Sequence, residues 1–332
     1  MITEKGIDWS KFPKDATFVD LSYKRITEIN WENAPPQLTR VNLSSNQIKY
    51  INWINAPQQL TEVNLSRNRI THMNWDYSPQ QLTTVQLFCN RLTEMNWVNA
   101  PPQLTMVLLN NNRITEMKWN NAPQKLTIVN LNSNSLTQMN WDSSPPNLIV
   151  VHLNSNGLTH INWNHAPPNL TRIYLNDNSL TSMNWVNAPQ QLTEVDLSYN
   201  LLTSINWDSS PQQLAKVQLN SNEITDMNWV NAPPNLTGIN LDYNLLTSIN
   251  WKNVPYTLER VSGYEEEFKE YKSARRIQRA YLRHYTRRKA AATKIVNGCH
   301  AWVWKPKCKD GTIGIRPRLD TLELGLISCV EI

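Results

Sequence analysis

Glycine and cysteine are scarce in this sequence, with 8 and 4 residues among 332. The few glycines form no phosphate-cradling loop, and neither a serine elbow nor a cluster of metal ligands appears. Four scattered cysteines do not make a disulfide framework. No apolar run approaches the length of a membrane span, and the N-terminal segment is too polar for a signal peptide. These absences predict an intracellular protein with no catalytic site, no cofactor and no transmembrane segment.

Tryptophan, in contrast, recurs with a strict period. Twelve tryptophans from Trp9 to Trp251 lie 22 residues apart, and eleven prolines from Pro35 to Pro255 keep the same spacing. The aligned copies read L-T-x-V-x-L-x-x-N-x-[IL]-T-x-[MI]-N-W-x-x-[AS]-P-x-x. They run from 16 to 257, and half a repeat precedes them. A side chain repeated this often indicates a structural unit rather than a catalytic one.

Several positions of the 22-residue unit have a predicted structural role. The first, fourth and sixth residues, such as Leu60, Val63 and Leu65, point inward from a short strand. Strands of successive coils then pair in one parallel sheet, about 4.8 Å apart. The ninth residue is Asn from Asn46 to Asn244, and we expect its amide to bond the backbone of its own coil and of the next. The tryptophans stack across coils as the outer wall.

The core of this pattern, L-x-x-L-x-L-x-x-N-x-L, resembles the leucine-rich repeat family. "APPQLTRVNLSSNQI" is similar to the short type with proline before the strand, found in bacterial effectors. The fixed positions of Trp and Pro within each repeat most resemble those in leucine-rich repeat proteins of giant DNA viruses. The resemblance implies an α/β, mostly β, solenoid of about eleven 22-residue coils, with a concave parallel sheet and a largely non-helical convex side.

The predicted organisation has four segments. An N-terminal half-repeat cap covers 1–15 and the solenoid covers 16–263. A basic amphipathic helix follows at 264–296, and a small tail with a hairpin covers 297–332.

Function is expected where the repeats differ on the exposed face of the sheet. The third and fifth residues of each unit point outward, and they are polar in most copies. The middle copies instead form an apolar stripe, which usually marks a contact site. The alternative is drift among residues that suit strands. The predicted partner-binding residues are Phe88, Met106, Leu108, Ile128, Val150, His152, Arg172 and Tyr174.

A second candidate feature is a row of arginines at the tenth position, Arg69, Arg91 and Arg113. Like charges one coil apart repel, and an anionic partner would relieve that repulsion. Alternatively Glu94 and Glu116, three residues past two of the arginines, neutralise them locally.

The chain becomes basic after the repeats. Residues 1–263 hold 17 Lys/Arg and 19 Asp/Glu, whereas residues 264–332 hold 15 and 8. Apolar residues from Tyr264 to Tyr285 follow a helical spacing. The helix is predicted to cap the solenoid through Phe268 and Tyr271, to bind a partner, or to bind nucleic acid or an anionic membrane surface.

Within the helix, "ARRIQRAYLRHYTRR" resembles an IQ motif, which implies a calmodulin-like EF-hand partner. Ile277 and Gln278 match its first two positions and Arg287 its last, while Leu282 occupies the place of the middle arginine and Arg283 follows. A more diverged copy surrounds Ile295.

The tail offers two weaker candidates. Cys299, His300 and Cys308 lack a fourth zinc ligand. Cys308-Lys309-Asp310 has the form of the nucleophile of bacterial ubiquitin ligases with this repeat type, but the tail is too short for their catalytic domain. We therefore predict a non-enzymatic scaffold that holds a protein partner on its concave sheet. The alternatives are an EF-hand adaptor and nonspecific nucleic-acid or membrane binding, both through the helix.

Overall fold

The computed structural model describes residues 2–3 and 6–303, with side chains from residue 7 to residue 295. The chain divides into two units, Met1–Glu265 and Glu266–Ile332. The first unit begins with an antiparallel pair, β1 (Ile2–Thr3) and β2 (Gly6–Ile7), and a short 3-10 helix at Trp9–Lys11. The paired strands at the start were not anticipated from the sequence.

Twelve strands of three residues follow, one in each of the eleven coils and a last one after them. They are β3 (Phe18–Asp20), β4 (Arg40–Asn42), β5 (Glu62–Asn64), β6 (Thr84–Gln86), β7 (Met106–Leu108), β8 (Ile128–Asn130), β9 (Val150–His152), β10 (Arg172–Tyr174), β11 (Glu194–Asp196), β12 (Lys216–Gln218), β13 (Gly238–Asn240) and β14 (Arg260–Ser262). All are parallel, each pairs with its neighbours in the chain, and the register joins residues 22 apart. The solenoid architecture predicted from the repeat is confirmed.

The core runs along the inside of the stack. Each coil contributes the residues that the pattern assigned to it, and in the third coil all of them are at most 3% exposed: Leu60, Val63, Leu65, Ile70, Met73 and Trp75. Burying a side chain of this size stabilises by about 2 kcal/mol. Because every coil repeats the same set, the buried surface is continuous from one coil to the next.

The asparagine ladder differs from the expectation in one respect. The Asn46 amide nitrogen donates to the carbonyls of Leu21 and Leu43, both at 2.9 Å, and its oxygen accepts from the N–H of Ile26 at 3.0 Å. Leu21 and Ile26 belong to the preceding coil, so the prediction of a bond to the next coil was wrong. The Leu21 N–H pairs with Asn42 in the following coil. Because N–H and C=O of one strand residue point the same way, its carbonyl also faces the following coil, where Asn46 meets it.

The tryptophans form a stacked rim opposite the sheet. Trp31, Trp53 and Trp75 are parallel to within 8°, with ring centroids 6.2 and 6.4 Å apart. Parallel strands lie only about 4.8 Å apart. Coils spaced more widely at the rim than at the strands make the stack bend around the sheet, which is therefore its concave face.

Most indoles also donate a hydrogen bond along the stack. Trp31 Nε1 donates to the Asn52 carbonyl at 2.8 Å, and the same bond recurs in most coils. The indoles of Trp141 and Trp229 are exceptions, since their buried N–H groups have no partner among the described residues. The predicted outer wall is confirmed, and these two coils are its irregular points.

The convex side is made of turns. No helix occurs between Lys11 and Glu265, a stretch that the structure describes throughout. Two residues in each coil after the first adopt a left-handed backbone, for example Cys89 (φ 56°) and Asn99 (φ 61°), although left-handed conformations normally favour glycine. A turn after each proline then starts the next strand, as where Leu60 N–H donates to the Pro57 carbonyl.

The second unit is described as one long helix, α1 (Glu265–Val303). It continues seven residues past the expected end at 296. Ala290, Ala291 and Ala292 favour helix, and no proline occurs before Pro306. Trp302 and Val303 therefore lie in the helix and not in the first strand of the predicted hairpin, whose remaining residues fall outside the described part. Among the described helices, none combines the length and the apolar character that crossing a bilayer requires.

Candidate interaction surface on the concave sheet

The concave face presents the third and fifth residues of each coil. In β5 the central Val63 is buried, while Glu62 is exposed and Asn64 is half-buried. The Asn64 side-chain oxygen accepts hydrogen bonds from the backbone and hydroxyl of Ser66, at 3.0 and 2.6 Å. This bond ties the amide to the end of its strand. Side chains on this face are thus set by the register of the sheet.

The structure brings the predicted stripe together on four adjacent strands. Met106 is in register with Ile128, and Ile128 with Val150, on β7 to β9. Met106, Leu108 and Ile128 are half-exposed, and so is Phe88, just past β6. Apolar side chains on neighbouring strands therefore form a contiguous surface.

Val150 departs from the expectation. It is only 6% exposed, although it occupies an outward position. Its register neighbours are the longer side chains of Ile128 and Arg172. These cover a β-branched residue that is shorter than either of them. Val150 thus offers little contact area of its own.

The stripe ends on its C-terminal side at a pair of stacked aromatic rings. His152 and Tyr174 stack with centroids 4.7 Å apart and an interplanar angle of 13°. Burial lowers the pKa of His152, and the positive charge of Arg172 lowers it further. Both effects favour the neutral imidazole near pH 7. Arg172 itself is exposed, so the stripe ends in two flat rings beside one charge.

A hollow that the sequence pattern did not predict lies on the same face, nearer the N-terminus. Its volume is about 210 Å³, and its lining includes Phe18, Arg40, Asn42, Glu62 and Gln86. The Arg40 guanidinium sits 5.5 Å from the centre of the Phe18 ring. The mixture of Phe, Arg and Glu at the third position of three successive coils is the signal that would have pointed to it.

The arginine row forms none of the expected local pairs. Arg69, Arg91 and Arg113 are exposed, and no ion pair involves them in the part of the chain that the structure describes. Glu116 instead approaches Lys118, at 3.5 Å. The hypothesis of neutralisation by Glu94 and Glu116 was therefore wrong.

The IQ-like residues lie on an exposed helix. Ile277 is 70% exposed, and Gln278, Arg283 and Arg287 are exposed as well. Ile277, Tyr281 and Tyr285 are four residues apart, so they share one face of α1. Arg283 and Arg287 have the same spacing on another face. The helix thus presents an apolar stripe and a basic stripe.

The remaining candidates lie in residues that the structure does not describe. The side chains of Cys299 and His300 are outside the described set, and Cys308 lies beyond Val303. Among the described side chains, no three His, Cys, Asp or Glu residues come together as a metal site.

Comparison with known proteins supports the fold. No family model matches the sequence, and no curated protein is similar to it in sequence. Among solved structures, YopM from Yersinia enterocolitica WA-314 matches with TM-score 0.55 and 23% identity, over 76% of this chain and 56% of that one. The functional domain of InlJ from Listeria monocytogenes matches with TM-score 0.58 and 22% identity, over 74% and 53%.

A third similar structure is a complex. The LRIM1/APL1C complex matches with TM-score 0.58 and 17% identity, over 95% of this chain and 75% of that one. The chain spans little more than half the length of YopM and of the InlJ domain. At these identities the likeness establishes the fold, a leucine-rich-repeat solenoid.

Proposed function

We propose that this protein is a non-enzymatic scaffold that holds a protein partner on its concave sheet, centred on β7 to β10. The observation that carries the proposal is the half-exposed stripe of Met106, Leu108 and Ile128, which ends at the stacked rings of His152 and Tyr174. Contiguous apolar surface flanked by polar side chains is typical of protein contact sites. The similar fold of LRIM1/APL1C, found in a protein complex, agrees with this use.

The expected contribution of the stripe follows from its side chains. Leu108 and Tyr174 are half-exposed in the free protein, and a partner would bury both. Truncating one buried anchor costs about 2 kcal/mol or more. That loss corresponds to about thirtyfold or more in affinity for each anchor.

The test places aspartate at the fifth residue of the coil, which is the last residue of its strand. Asp20 and Asp196 already occupy that position in β3 and β11, so the coil accepts the residue. The partner is first identified by co-purification from source cells and mass spectrometry. We expect Leu108→Asp with Tyr174→Asp to abolish its binding while the Tm stays close to wild type.

The matched control carries Gln218→Asp and Asn240→Asp at the same position of β12 and β13. It should bind normally. If the stripe variant also binds normally, this surface is not the site.

A second function is favoured by the exposed apolar stripe of α1. We propose that Ile277, Gln278, Arg283 and Arg287 bind a calmodulin-like EF-hand protein, because a basic helix with an apolar stripe fits the groove of such a partner. Calorimetry of the full chain with a calmodulin-type protein, with and without calcium, tests this. We expect binding at or below about micromolar Kd, lost in Ile277→Asn and kept in Thr286→Asn, which leaves the charge of the basic stripe unchanged. If calorimetry shows no heat of binding at protein concentrations well above micromolar, the proposed EF-hand adaptor function is wrong.

The site of action is also a proposal. The phase of Trp and Pro resembles leucine-rich repeat proteins of giant DNA viruses, which supports a protein of the host cytoplasm or the virion. Fractionation of infected cells, followed by immunodetection, tests it. Recovery in the culture medium, away from both cells and particles, would contradict it.

A further inference from the structure

In the turn that follows each strand, basic residues occur only in the N-terminal coils. We call residues eight to thirteen of each coil the turn edge; in the third coil it is 67–72. The turn edges of the first five coils hold seven Lys and Arg residues, and those of the last six hold none. Only three acidic residues accompany the seven cations. The basic residues are Lys24, Arg25, Lys49, Arg67, Arg69, Arg91 and Arg113.

The arginines of this edge are available to a ligand. Arg67, Arg69, Arg91 and Arg113 are exposed, and none of them forms an ion pair within the described residues. Neighbouring cations in water repel by about 1 kcal/mol or less, so the fold tolerates them. An anion that bridges them gains affinity by removing that repulsion. The row is therefore better suited to an extended anion than to a single small one.

Three of the arginines are held at a regular spacing. The backbone N–H groups of Arg69, Arg91 and Arg113 donate to carbonyls of the preceding coil, at 2.8 to 2.9 Å. These bonds fix the backbone from which one exposed arginine per coil projects, over three successive coils. A polymer with one charge per monomer fits such a row, and a single-stranded nucleic acid carries one phosphate per nucleotide. The planar guanidinium also binds phosphate through two parallel hydrogen bonds.

Two exposed aromatic rings lie on the same turn edges as these cations. Tyr23, on the turn edge of the first coil, is 76% exposed, and Tyr50, on that of the second, is 53% exposed. Basic residues interleaved with exposed rings are typical of surfaces that bind single strands, because bases stack on the rings while phosphates meet the cations. An acidic peptide would use the arginines but would leave the rings without a stacking partner. The combination favours nucleic acid over an acidic protein segment.

We propose that the turn edge of the first five coils binds the sugar–phosphate backbone of single-stranded nucleic acid. Arg69, Arg91 and Arg113 each contact one phosphate. Tyr23 and Tyr50 stack with bases. This site is separate from the concave stripe and independent of the partner proposed for it.

The test measures anisotropy of a fluorescein-labelled 15-nucleotide oligo(U) with the full chain, across a series of salt concentrations. The variant Arg69→Ser, Arg91→Ser, Arg113→Ser copies coils that already have Ser135 and Ser179 at the tenth position. Each phosphate contact contributes about 0.7 to the slope of log K against log salt. We expect the triple variant to bind more weakly and its slope to be lower by about 2.

The control removes the same charge elsewhere in the first unit, through Lys14→Gln, Lys125→Gln and Lys216→Gln. It should keep the wild-type slope, and circular dichroism melting checks that both variants are folded. A third variant, Arg279→Gln, Arg283→Gln, Arg287→Gln, changes only α1. Adding the three serine substitutions to this α1 variant should lower its slope by the same amount as adding them to the wild-type protein.

Four outcomes would overturn the proposal. The first is that wild-type protein does not bind oligo(U) at low salt. The second is that the lysine control loses as much slope as the serine variant, which would indicate net charge alone. The third is that the α1 variant abolishes binding by itself. The fourth is that polyglutamate of similar length competes as well as unlabelled oligo(U), which would make the edge a site for acidic polypeptides.

Discussion

Two tryptophans of the convex rim provide a direct test of how the stack is held together. Trp119 and Trp141 are neighbours in the ladder, and each is 1% exposed. Trp119 Nε1 donates to the Asn140 carbonyl at 2.9 Å, whereas the buried N–H of Trp141 has no partner among the described residues. Replacing each with Phe removes the same ring volume. The two substitutions therefore differ mainly in one hydrogen bond.

The expected difference follows from that bond. The lost volume costs each variant about 1–3 kcal/mol, and this contribution is common to both. Trp119→Phe also loses the part-buried hydrogen bond to the Asn140 carbonyl, which costs about 1 kcal/mol more. Trp141→Phe removes an unpaired donor, so its unfolding free energy falls less. We expect Trp119→Phe to be the less stable variant by about 2 kcal/mol or more.

The measurement is urea unfolding followed by far-ultraviolet circular dichroism. Midpoints are compared only where both variants share one m-value, since a repeat array can lose cooperativity when one coil is weakened. Trp163→Phe serves as a further control, because Trp163 Nε1 donates to the Asn184 carbonyl at 2.8 Å and should behave like Trp119. Equal destabilisation of Trp119→Phe and Trp141→Phe would refute the reasoning.

Three further outcomes are expected. Because burial lowers the pKa of His152 below its ordinary value, a partner that buries the ring further should bind less tightly as pH falls through that lowered pKa. His152→Gln should flatten that profile in a binding titration. Asn121 has a φ of 63°, within the 61–65° of its equivalents in other coils. The unfolding free energy of Asn121→Gly should therefore exceed that of Asn121→Ala by about 1 kcal/mol, measured by urea unfolding. Asn134 bonds Leu109, Leu131 and Ile114, so Asn134→Ala should lose at least about 2 kcal/mol in the same urea assay, and a smaller loss would contradict its assigned role.

The candidate surfaces were predictable only in part. The outward direction of Met106 and Leu108 follows from the alternation of side chains along a strand. The burial of Val150 does not, since it depends on how far the side chains of adjacent coils reach over it. The absence of ion pairs between the arginine row and Glu94 or Glu116 likewise depends on the direction in which side chains point from the turn after each strand. Spacing along the chain does not contain that information.

The sequence alone determined the period, the number of coils, the inward residues and the long helix after the repeats. It could do so because a solenoid is nearly one-dimensional: each coil contacts only its neighbours, and one pattern decides the environment of every copy. Only the tertiary structure decided that each asparagine bonds the preceding coil, that Trp141 lacks the bond of its neighbours, and that His152 stacks on Tyr174. Those features depend on the direction of backbone groups and on small offsets between coils, which identical residue patterns do not distinguish.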